Sequence, residues 1–220
     1  MCGRFIQAAS GEVLARQFGL ALPVDYSPRY NVAPSQRVLG IRAAADGARE
    51  LAWLRWGLIP AWSPEPRLKY STINARAETV ADKPTYRQAF RQRRCLIPVD
   101  GFYEWQKTEG RKQPHCIGLA DGAPFVFAGL WERWEREGQV VESCTILVTQ
   151  ANQRIAAIHD RMPVILDATE YDAWLEPTIR DPDQLLPLLR PYRAEGVTLW
   201  PVGFQINRPK SEGPELMAKI

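Results

Sequence analysis

The sequence predicts an α+β fold, a single domain in which a strand-rich, barrel-like central sheet is flanked by short helices. Apolar runs typical of strands concentrate in the middle of the chain, whereas helical patterns lie before and after them. The 220 residues include 18 prolines and 15 glycines, which interrupt the chain often, as in short strands joined by turns. No internal repeat or Gly/Ser-rich linker divides the chain, so we expect one domain over residues 1–220.

The predicted elements follow in order along the chain. A short helix is predicted at residues 11–20, where apolar residues recur at helical spacing. Strands are predicted at 37–42, 50–59, 94–99, 102–107, 115–119, 124–131 and 140–149. Between two of these strands, Asp121-Gly122 predicts a hairpin turn. Helices are predicted at 151–158, 168–175 and 181–189, with Asp167 and Asp181 as N-caps of the last two.

Composition argues against several classes of protein. No run approaches the roughly 20 apolar residues that span a membrane, and the first residues lack the apolar segment of a signal peptide. The four cysteines form no Cys-x-x-Cys pair and only two histidines exist, which argues against a zinc site. We expect no metal and no cofactor. We expect a cytoplasmic protein with reduced thiols at Cys2, Cys95, Cys116 and Cys144.

The net charge of +3 is small, but its distribution along the chain is uneven. Residues 1–100 contain 15 Lys and Arg against 8 Asp and Glu, whereas residues 101–220 contain 13 against 17. A basic first half suits an anionic partner, although chance unevenness on a solvated surface explains the same numbers.

Cys2 follows the initiator Met1, and because cysteine is small, we expect an aminopeptidase to remove Met1. The new terminus has an α-amine and a thiol on adjacent carbons. The amine, whose pKa is ordinarily ~7.7–8.0, condenses with an aldehyde to an imine, and the thiolate then closes a five-membered thiazolidine. An internal cysteine lacks this reaction. Position alone does not establish it for Cys2, because most cysteines at position 2 are incidental.

Neighbouring segments contain residue types that bind nucleic acid. Gly3 allows a ligand to approach the backbone and Arg4 suits a phosphate, although a turn and a surface charge explain them equally well. Trp62 follows Pro60 on a predicted loop, where its ring either stacks on a base or packs under the loop. Trp56 lies in a strand pattern and is predicted to belong to the core.

Asn74 and Arg76 are two residues apart, so in an extended segment their side chains point the same way. An amide and a guanidinium on one side suit a sugar–phosphate backbone. The alternative is that Asn74 caps a following helix. The densest basic cluster contains Arg87, Arg91, Arg93 and Arg94. We interpret it first as a solvated helix face; the alternative is that it contacts phosphates.

Glu104 lies in a strand pattern that places Phe102 on its own face and two aromatic neighbours on the other face. A carboxylate in these surroundings suits proton transfer, whereas the alternative is an outward-facing residue on an edge strand. His159 follows a predicted helix. Histidine changes charge near neutral pH, which suits acid–base catalysis, although a lone histidine is more often structural. His115 lies within a strand pattern and is interpreted as structural.

Six ordered blocks together resemble the SRAP family, the SOS-response-associated peptidase-like, abasic-site-processing proteins; they are residues 1–5, 29–34, 56–60, 74–79, 101–105 and 159–163. A weaker match near Asn207 and Gly213 extends the resemblance almost to the end of the chain. One position departs from the pattern. Many relatives have a second aromatic residue after the loop tryptophan, whereas Ser63 follows Trp62 here, which implies a stacking platform that is smaller or built differently.

The resemblance implies a protein that senses abasic sites in single-stranded DNA and shields them with a covalent thiazolidine crosslink. It implies that Cys2 is the nucleophile, that Asn74 binds the abasic sugar, and that Glu104 and His159 are the acid–base pair. We expect His159 to serve opening of the sugar and Glu104 to serve the amine and imine steps, or the reverse. The implied DNA contacts are Gly3, Arg4, Asn31, Trp62, Arg76 and Trp105. We expect a monomer, associated with the nucleoid if the source is bacterial.

Three other functions fit the same residues. A thiol peptidase would use Cys2 with His159 and would remove its own Met1. A non-catalytic module would bind single strands through basic and aromatic residues alone. Finally, the imine formed by the Cys2 amine makes β-elimination chemically accessible, so lyase activity is expected to accompany crosslinking.

Overall fold

The computed structural model describes residues 2–20, 26–66 and 68–220, and its α+β architecture confirms the predicted fold class. The predicted removal of Met1 concerns a residue outside these ranges. Within them the strands are β1 (Arg4–Gln7), β2 (Arg29–Val32), β3 (Arg37–Ala43), β4 (Arg49–Trp56), β5 (Asn74–Arg76), β6 (Arg94–Val99), β7 (Gly101–Lys107), β8 (Lys112–Leu119), β9 (Phe125–Arg136), β10 (Gln139–Gln150), β11 (Arg161–Pro163) and β12 (Val197–Pro201).

Helices are short and lie outside the sheets. The α-helices are α1 (Gly11–Phe18), α2 (Arg87–Gln92), α3 (Gln153–Ala156), α4 (Tyr171–Leu175) and α5 (Pro182–Leu185). Single 3₁₀ turns occur at Ala77–Thr79, Ala168–Glu170, Leu186–Leu188, Ala194–Gly196, Phe204–Asn207 and Pro214–Met217. In these described ranges, no helix has the length and apolar character needed to cross a membrane.

One sheet has five antiparallel strands in the order β12-β8-β7-β1-β2. β1 and β7 are therefore interior strands, and the register pairs Arg4 with Tyr103 and Phe5 with Phe102. This pairing places the segment that follows Cys2 next to the segment that contains Glu104.

The second sheet closes on itself and confirms the barrel-like prediction. Its strands run β11-β10-β4-β3-β6-β9, and β9 pairs again with β10, so that β10, β4, β3, β6 and β9 form a ring. The short strand β5 adds to β10 in parallel, pairing Asn74 with Ile146. A closed ring leaves few unpaired strand edges, which removes a route to aggregation.

An apolar cluster joins the two sheets. The ring of Phe5 from the five-stranded sheet lies 4.9 Å from the Trp56 ring of the barrel, centroid to centroid, and Phe102 lies 5.7 Å from Phe127. Trp56 is fully buried, which confirms its predicted place in the core. Cys2 belongs to this same cluster, so the nucleophile predicted from the sequence lies where the two sheets meet.

Several predicted boundaries were wrong. The strand predicted at 50–59 ends at Trp56, because Gly57 has a φ of +126° and its N–H bonds to the Cys144 carbonyl of β10. The helix predicted at 11–20 ends at Phe18, where Gly19 takes a left-handed conformation. The helix predicted at 151–158 contracts to four residues, Gln153–Ala156.

The later helices are split. Residues 168–175 form a 3₁₀ turn followed by α4, and residues 181–189 form α5 followed by a 3₁₀ turn that contains Pro187. Asp167 and Asp181 hold the N-cap positions predicted for them, and Asp181 accepts a hydrogen bond from the Asp183 N–H at 3.1 Å.

The hairpin predicted at Asp121-Gly122 is also wrong. A turn is present, with Gly122 at a φ of +71°. However, the strands it joins belong to different sheets, since β8 pairs with β7 and β12 whereas β9 pairs with β6 and β10. The turn is therefore the crossing between the two sheets.

Candidate active site

Cys2 lies two residues before the start of β1, and its side chain is completely buried among the apolar residues between the sheets. Burial raises the pKa of the Cys2 thiol well above its ordinary value, and the negative charge of Glu104 raises it further. The sulfur is therefore a protonated thiol in this structure, and it needs a change in its surroundings to become a thiolate nucleophile.

Asn74 holds the backbone of Cys2. Its side-chain Nδ2 donates a hydrogen bond to the Cys2 carbonyl oxygen over 2.9 Å. Its Oδ1 is buried and accepts no hydrogen bond from the part of the chain that the structure describes. The alternative of a helix cap is wrong, because Asn74 begins strand β5 and Arg76 occupies the N-cap position of the turn that follows. A chain segment between β4 and β6 thus meets the amino-terminal segment.

Glu104 is a buried residue on an interior strand. It is only 3% exposed, and β7 lies between β8 and β1, so the alternative of an outward-facing residue on an edge strand is wrong. Phe102, on the same face, packs in the cluster that contains Cys2, whereas Tyr103 and Trp105 pack with a separate cluster on the other face. The face assignment made from alternation is confirmed.

His159 and Glu104 line the same cavity, which has a volume of about 990 Å³. The His159 ring is positioned by its own loop. Its Nδ1 lies 2.8 Å from the Asp160 carboxylate and 3.0 Å from the Arg161 N–H. These two contacts need different protonation of Nδ1, which donates to a carboxylate but accepts from an amide. Both protonation forms of the imidazole therefore have a partner at Nδ1.

His115 is the direct neighbour of Glu104 across the β7–β8 pairing. It is buried, and its Nδ1 lies 3.2 Å from the Gln113 carbonyl oxygen. This local contact with the backbone agrees with the structural role predicted for His115.

Arg4 and Asn31 form one hydrogen-bonded unit. Arg4 Nη1 donates to Asn31 Oδ1 at 2.7 Å and to the Ile206 carbonyl at 3.0 Å. Asn31 donates in turn to the Arg208 and Ser211 carbonyls at 3.0 and 2.9 Å. Because Asn31 is fully buried, this geometry gives it no surface for DNA, and the contact expected from the resemblance is replaced by support of Arg4. Burial also lowers the pKa of Arg4.

Trp62 lies on an anchored loop and is 53% exposed. The Ala61 N–H bonds to the Glu132 carboxylate at 3.2 Å, and the indole N–H of Trp134 bonds to the Ser63 carbonyl at 2.9 Å. Ser63 is fully buried. The ring of Trp62 is therefore presented to solvent on a supported loop, and the next position points inward.

The remaining predicted contacts lie on different sides of the site. Trp105 lines the cavity with Glu104 and His159, and its indole N–H bonds to Asn207 Oδ1 at 2.7 Å. Arg76 is exposed at the end of β5 and Gly3 is half-buried between Cys2 and Arg4. Sequence reasoning missed the position of Asn207 in the cavity wall, although the weak family match near that residue was a usable signal.

Arg161 was not among the predicted site residues, although it belongs to the same sequence block as His159. Its guanidinium pairs with Glu78, in the turn that follows β5. This ion pair links the His159 loop to the segment that begins at Asn74.

The basic cluster near residues 87–94 has mixed roles. Arg87 and Arg91 are exposed on α2, as the solvated-face interpretation predicts. Arg94 is buried and donates to four main-chain carbonyls, and burial lowers its pKa to about 10. Arg93 pairs with Glu132, which supports the Trp62 loop. A phosphate contact is therefore wrong for Arg94, whose role is structural.

No group of three or more potential metal-ligating side chains occurs within residues 2–20, 26–66 and 68–220.

The chain is similar over most of its length to several known proteins. The abasic site processing protein YoqW of Bacillus subtilis (strain 168) is 44% identical over 223 residues, which cover 99% of this chain and 99% of YoqW. The abasic site processing protein HMCES of Xenopus tropicalis is 33% identical over 226 residues, which cover 89% of this chain and 67% of HMCES. A crystal structure of a protein from Bacteroides thetaiotaomicron matches the fold with a TM-score of 0.90 at 26% identity, over 100% of both chains.

The family model described as SOS response associated peptidase (SRAP) matches residues 1–209. That range includes Cys2, Asn74, Glu104 and His159. The chain belongs to the SOS response associated peptidase (SRAP) family.

Proposed function

We propose that the chain senses abasic sites in single-stranded DNA and crosslinks to them through the α-amine and thiol of Cys2, shielding the lesion during the response to DNA damage. The observation that carries the proposal is the hydrogen bond from Asn74 to the Cys2 carbonyl. It holds the aminothiol residue near Glu104, and Glu104 and His159 line one cavity. The relatives named abasic site processing proteins point to the aldehyde that such a site would meet.

The reaction needs three changes at one carbon. The abasic sugar opens when its anomeric hydroxyl loses a proton and the ring oxygen gains one, which breaks the bond between that oxygen and C1′ and leaves an aldehyde. The Cys2 amine adds to C1′ and water leaves, giving an imine. The Cys2 sulfur then adds to C1′, the electron pair of the C=N bond goes to nitrogen, and the thiol proton ends there. The sum is aldehyde plus aminothiol giving thiazolidine plus one water.

Glu104 and His159 are suited to these proton transfers because both line the cavity. We assign opening of the sugar to His159, whose Nδ1 has a partner in either protonation form. We assign the amine and imine steps, and reversal of the crosslink, to Glu104. An exchange of the two roles would appear as an exchange of the steps that the Glu104→Gln and His159→Ala variants slow.

The raised pKa of the Cys2 thiol favours an order in which the amine reacts first. Burial and the Glu104 carboxylate both disfavour a thiolate in the resting site. A protonated imine on the same residue brings a positive charge within bonding distance of the sulfur, and a proton taken up by Glu104 removes the opposing negative charge. Both changes follow amine addition, so the thiolate forms when its electrophile is already present.

DNA recognition would use the groups around this centre. Arg4, held by Asn31, and Arg76 at the end of β5 offer guanidinium groups to phosphates. Trp62 offers an exposed ring for base stacking. Trp105 lines the same cavity as Glu104, so its ring would contact DNA that enters the cavity.

To test the proposal, the purified protein is mixed with an oligonucleotide that contains one abasic site. Mass spectrometry first verifies that Cys2 is the free amino terminus of the protein. A band that survives denaturation is expected for the wild type and for Cys144→Ala, a control at another buried cysteine. The band is expected to disappear in Cys2→Ala and in a chain that keeps Met1. Absence of the band in the wild type, or its persistence in Cys2→Ala, overturns the proposal.

Cys2→Ser separates the alternatives. It keeps the amine but loses the sulfur, so borohydride should trap an imine while no stable crosslink forms without reductant. Strand cleavage in this variant would reveal β-elimination by the amine. Cleavage of unrelated proteins by the wild type, abolished in Cys2→Ser, would support a peptidase instead. Binding without any covalent or trapped product would leave only a single-strand binding module.

A further inference from the structure

The cavity beside Glu104 and His159 extends well beyond them. Its volume of about 990 Å³ is at the upper end of the roughly 300–1,000 Å³ typical of ligand pockets. One ring-opened deoxyribose fills only part of such a space. Past Glu104 the cavity continues along the end of the β7–β8 hairpin, where Lys107, Arg111 and Lys112 line it. The cavity therefore has room for nucleotide units next to the lesion.

The hairpin end combines positive charge with a flat ring. Lys107 and Lys112 are exposed and oppose each other across the hairpin register. The Arg111 guanidinium lies 4.0 Å from the centroid of the Phe204 ring. Lysines suit phosphate oxygens, and an arginine stacked on a ring offers a planar surface to a base. Asp160 also lines the cavity, but its carboxylate lies 2.8 Å from the His159 ring.

Hydrogen bonds hold this wall in position. Gln106 Nε2 donates to the Ala157 carbonyl at 3.2 Å, which ties the hairpin to the segment after α3. The Trp105 indole bonds to Asn207 at 2.7 Å, which ties β7 to the 3₁₀ turn that contains Phe204. The backbone that carries these cations therefore belongs to an assembled wall, so only their side chains need ordering when an anion binds.

We propose that this hairpin surface, formed by Lys107, Arg111, Lys112 and Phe204, binds the DNA strand on one side of the abasic site. The two lysines contact phosphates, and a base stacks on the Arg111–Phe204 pair. Neither Trp62 nor Arg76 is among the described residues that line the cavity, so the hairpin surface is distinct from these two proposed DNA contacts. The presence of the lesion beside Glu104 rests on the proposed function.

The test measures binding without chemistry. The probe is an oligonucleotide containing a tetrahydrofuran abasic analogue, which has no aldehyde, with nucleotides on both sides, only on the 5′ side, or only on the 3′ side. Lys107→Glu/Lys112→Glu is compared with Arg16→Glu/Arg136→Glu, which changes the net charge equally at exposed positions on α1 and at the end of β9. Arg111→Ala tests the stacking pair. Fluorescence anisotropy over a range of salt concentrations gives the affinities.

The lysine double variant should lose affinity on the order of tenfold for the two-sided probe and for one of the one-sided probes. The other one-sided probe should bind within twofold of wild type. The slope of log affinity against log salt should fall by about 1.4, at ~0.7 per phosphate contact on a single strand. Arg111→Ala should weaken the same one-sided probe as the lysine variant.

Three outcomes overturn the inference: unchanged affinity for every probe, equal losses for both one-sided probes, or an equal loss in the Arg16→Glu/Arg136→Glu control. Because the analogue cannot condense with an amine, these results do not depend on crosslinking. Failure of the wild type to crosslink a natural abasic site would refute the proposed function and leave the binding result standing.

Discussion

The hydrogen bond between Asn74 and Cys2 makes the most specific prediction about catalysis. In Asn74→Ala the Cys2 carbonyl loses its donor at 2.9 Å. An intramolecular hydrogen bond contributes about 0.5–1.5 kcal/mol, and leaving a buried partner unpaired costs about 1–3 kcal/mol. If most of that free energy holds the aminothiol in its reactive position, the crosslinking rate at saturating DNA should fall roughly tenfold to a hundredfold.

Asn74→Asp sharpens the test because it preserves shape. A carboxylate oxygen replaces Nδ2 and faces the Cys2 carbonyl oxygen, so two acceptors meet where a donor is needed. This variant should be at least as slow as Asn74→Ala. Single-turnover crosslinking, followed on denaturing gels over a range of DNA concentrations, separates the maximal rate from the affinity.

Gln7→Ala provides the control for general destabilisation. Gln7 is a buried amide on β1 that bonds to the main chain of Leu39 and Pro98, and its side chain makes no hydrogen bond to Cys2 in the part of the chain that the structure describes. It should lower the melting temperature at least as much as Asn74→Ala while leaving the maximal rate of the folded protein near wild type. A maximal rate within twofold of wild type in Asn74→Ala, or a loss confined to DNA affinity, would refute the positioning role.

Three further predictions concern stability and pH. Thr145→Val should raise the unfolding free energy by about 1 kcal/mol, or ~2–4 °C in melting temperature, because the buried Thr145 hydroxyl has no described partner. Ser143→Ala, the control, should lower the unfolding free energy, because the backbone N–H of Ile59 loses its hydrogen-bond acceptor. Arg94→Leu should lower the free energy of unfolding, measured with denaturant, by more than about 3 kcal/mol, because buried carbonyls lose their hydrogen-bond donor. The substitution Arg91→Leu, at an exposed position, should change it by at most ~0.5 kcal/mol. The rate at which iodoacetamide alkylates Cys2 should be lower than for free cysteine and should rise steadily from about pH 7 to 10, because the pKa of the Cys2 thiol is raised. Glu104→Gln should shift this dependence of rate on pH to lower pH. A rate that levels off near neutral pH in the wild type would contradict the argument from burial.

Local patterns predicted the longer strands well, because apolar runs of this length are typical of strands buried in a sheet, as in β6 and β10. Strands β1, β2, β5 and β11 have only three or four residues, which is too short for periodicity, and their conformation depends on their partners. The Asp121-Gly122 turn shows the same limit. Its residues are typical of a turn, but which strands pair on either side is decided by packing of the two sheets.

The candidate site shows a similar division. The residue types and the family resemblance indicated Cys2, Asn74, Glu104 and His159, but the contact between Asn74 and Cys2 depends on the parallel pairing of β5 with β10. Asn31 was expected to face DNA, and nothing in its sequence context indicates that it is buried beneath Arg4. The hairpin cations were likewise unremarkable in the sequence, because their shared cavity forms only when β7, α3 and the Phe204–Asn207 turn come together.

The most direct test of the central claim is the intact mass of the product formed with abasic DNA, followed by peptide mapping. We expect a mass equal to the chain without Met1 plus the oligonucleotide minus one water, with the modification on Cys2 and no free thiol there. A mass that retains Met1, a linkage at a lysine or an internal cysteine, or no adduct at all would contradict it.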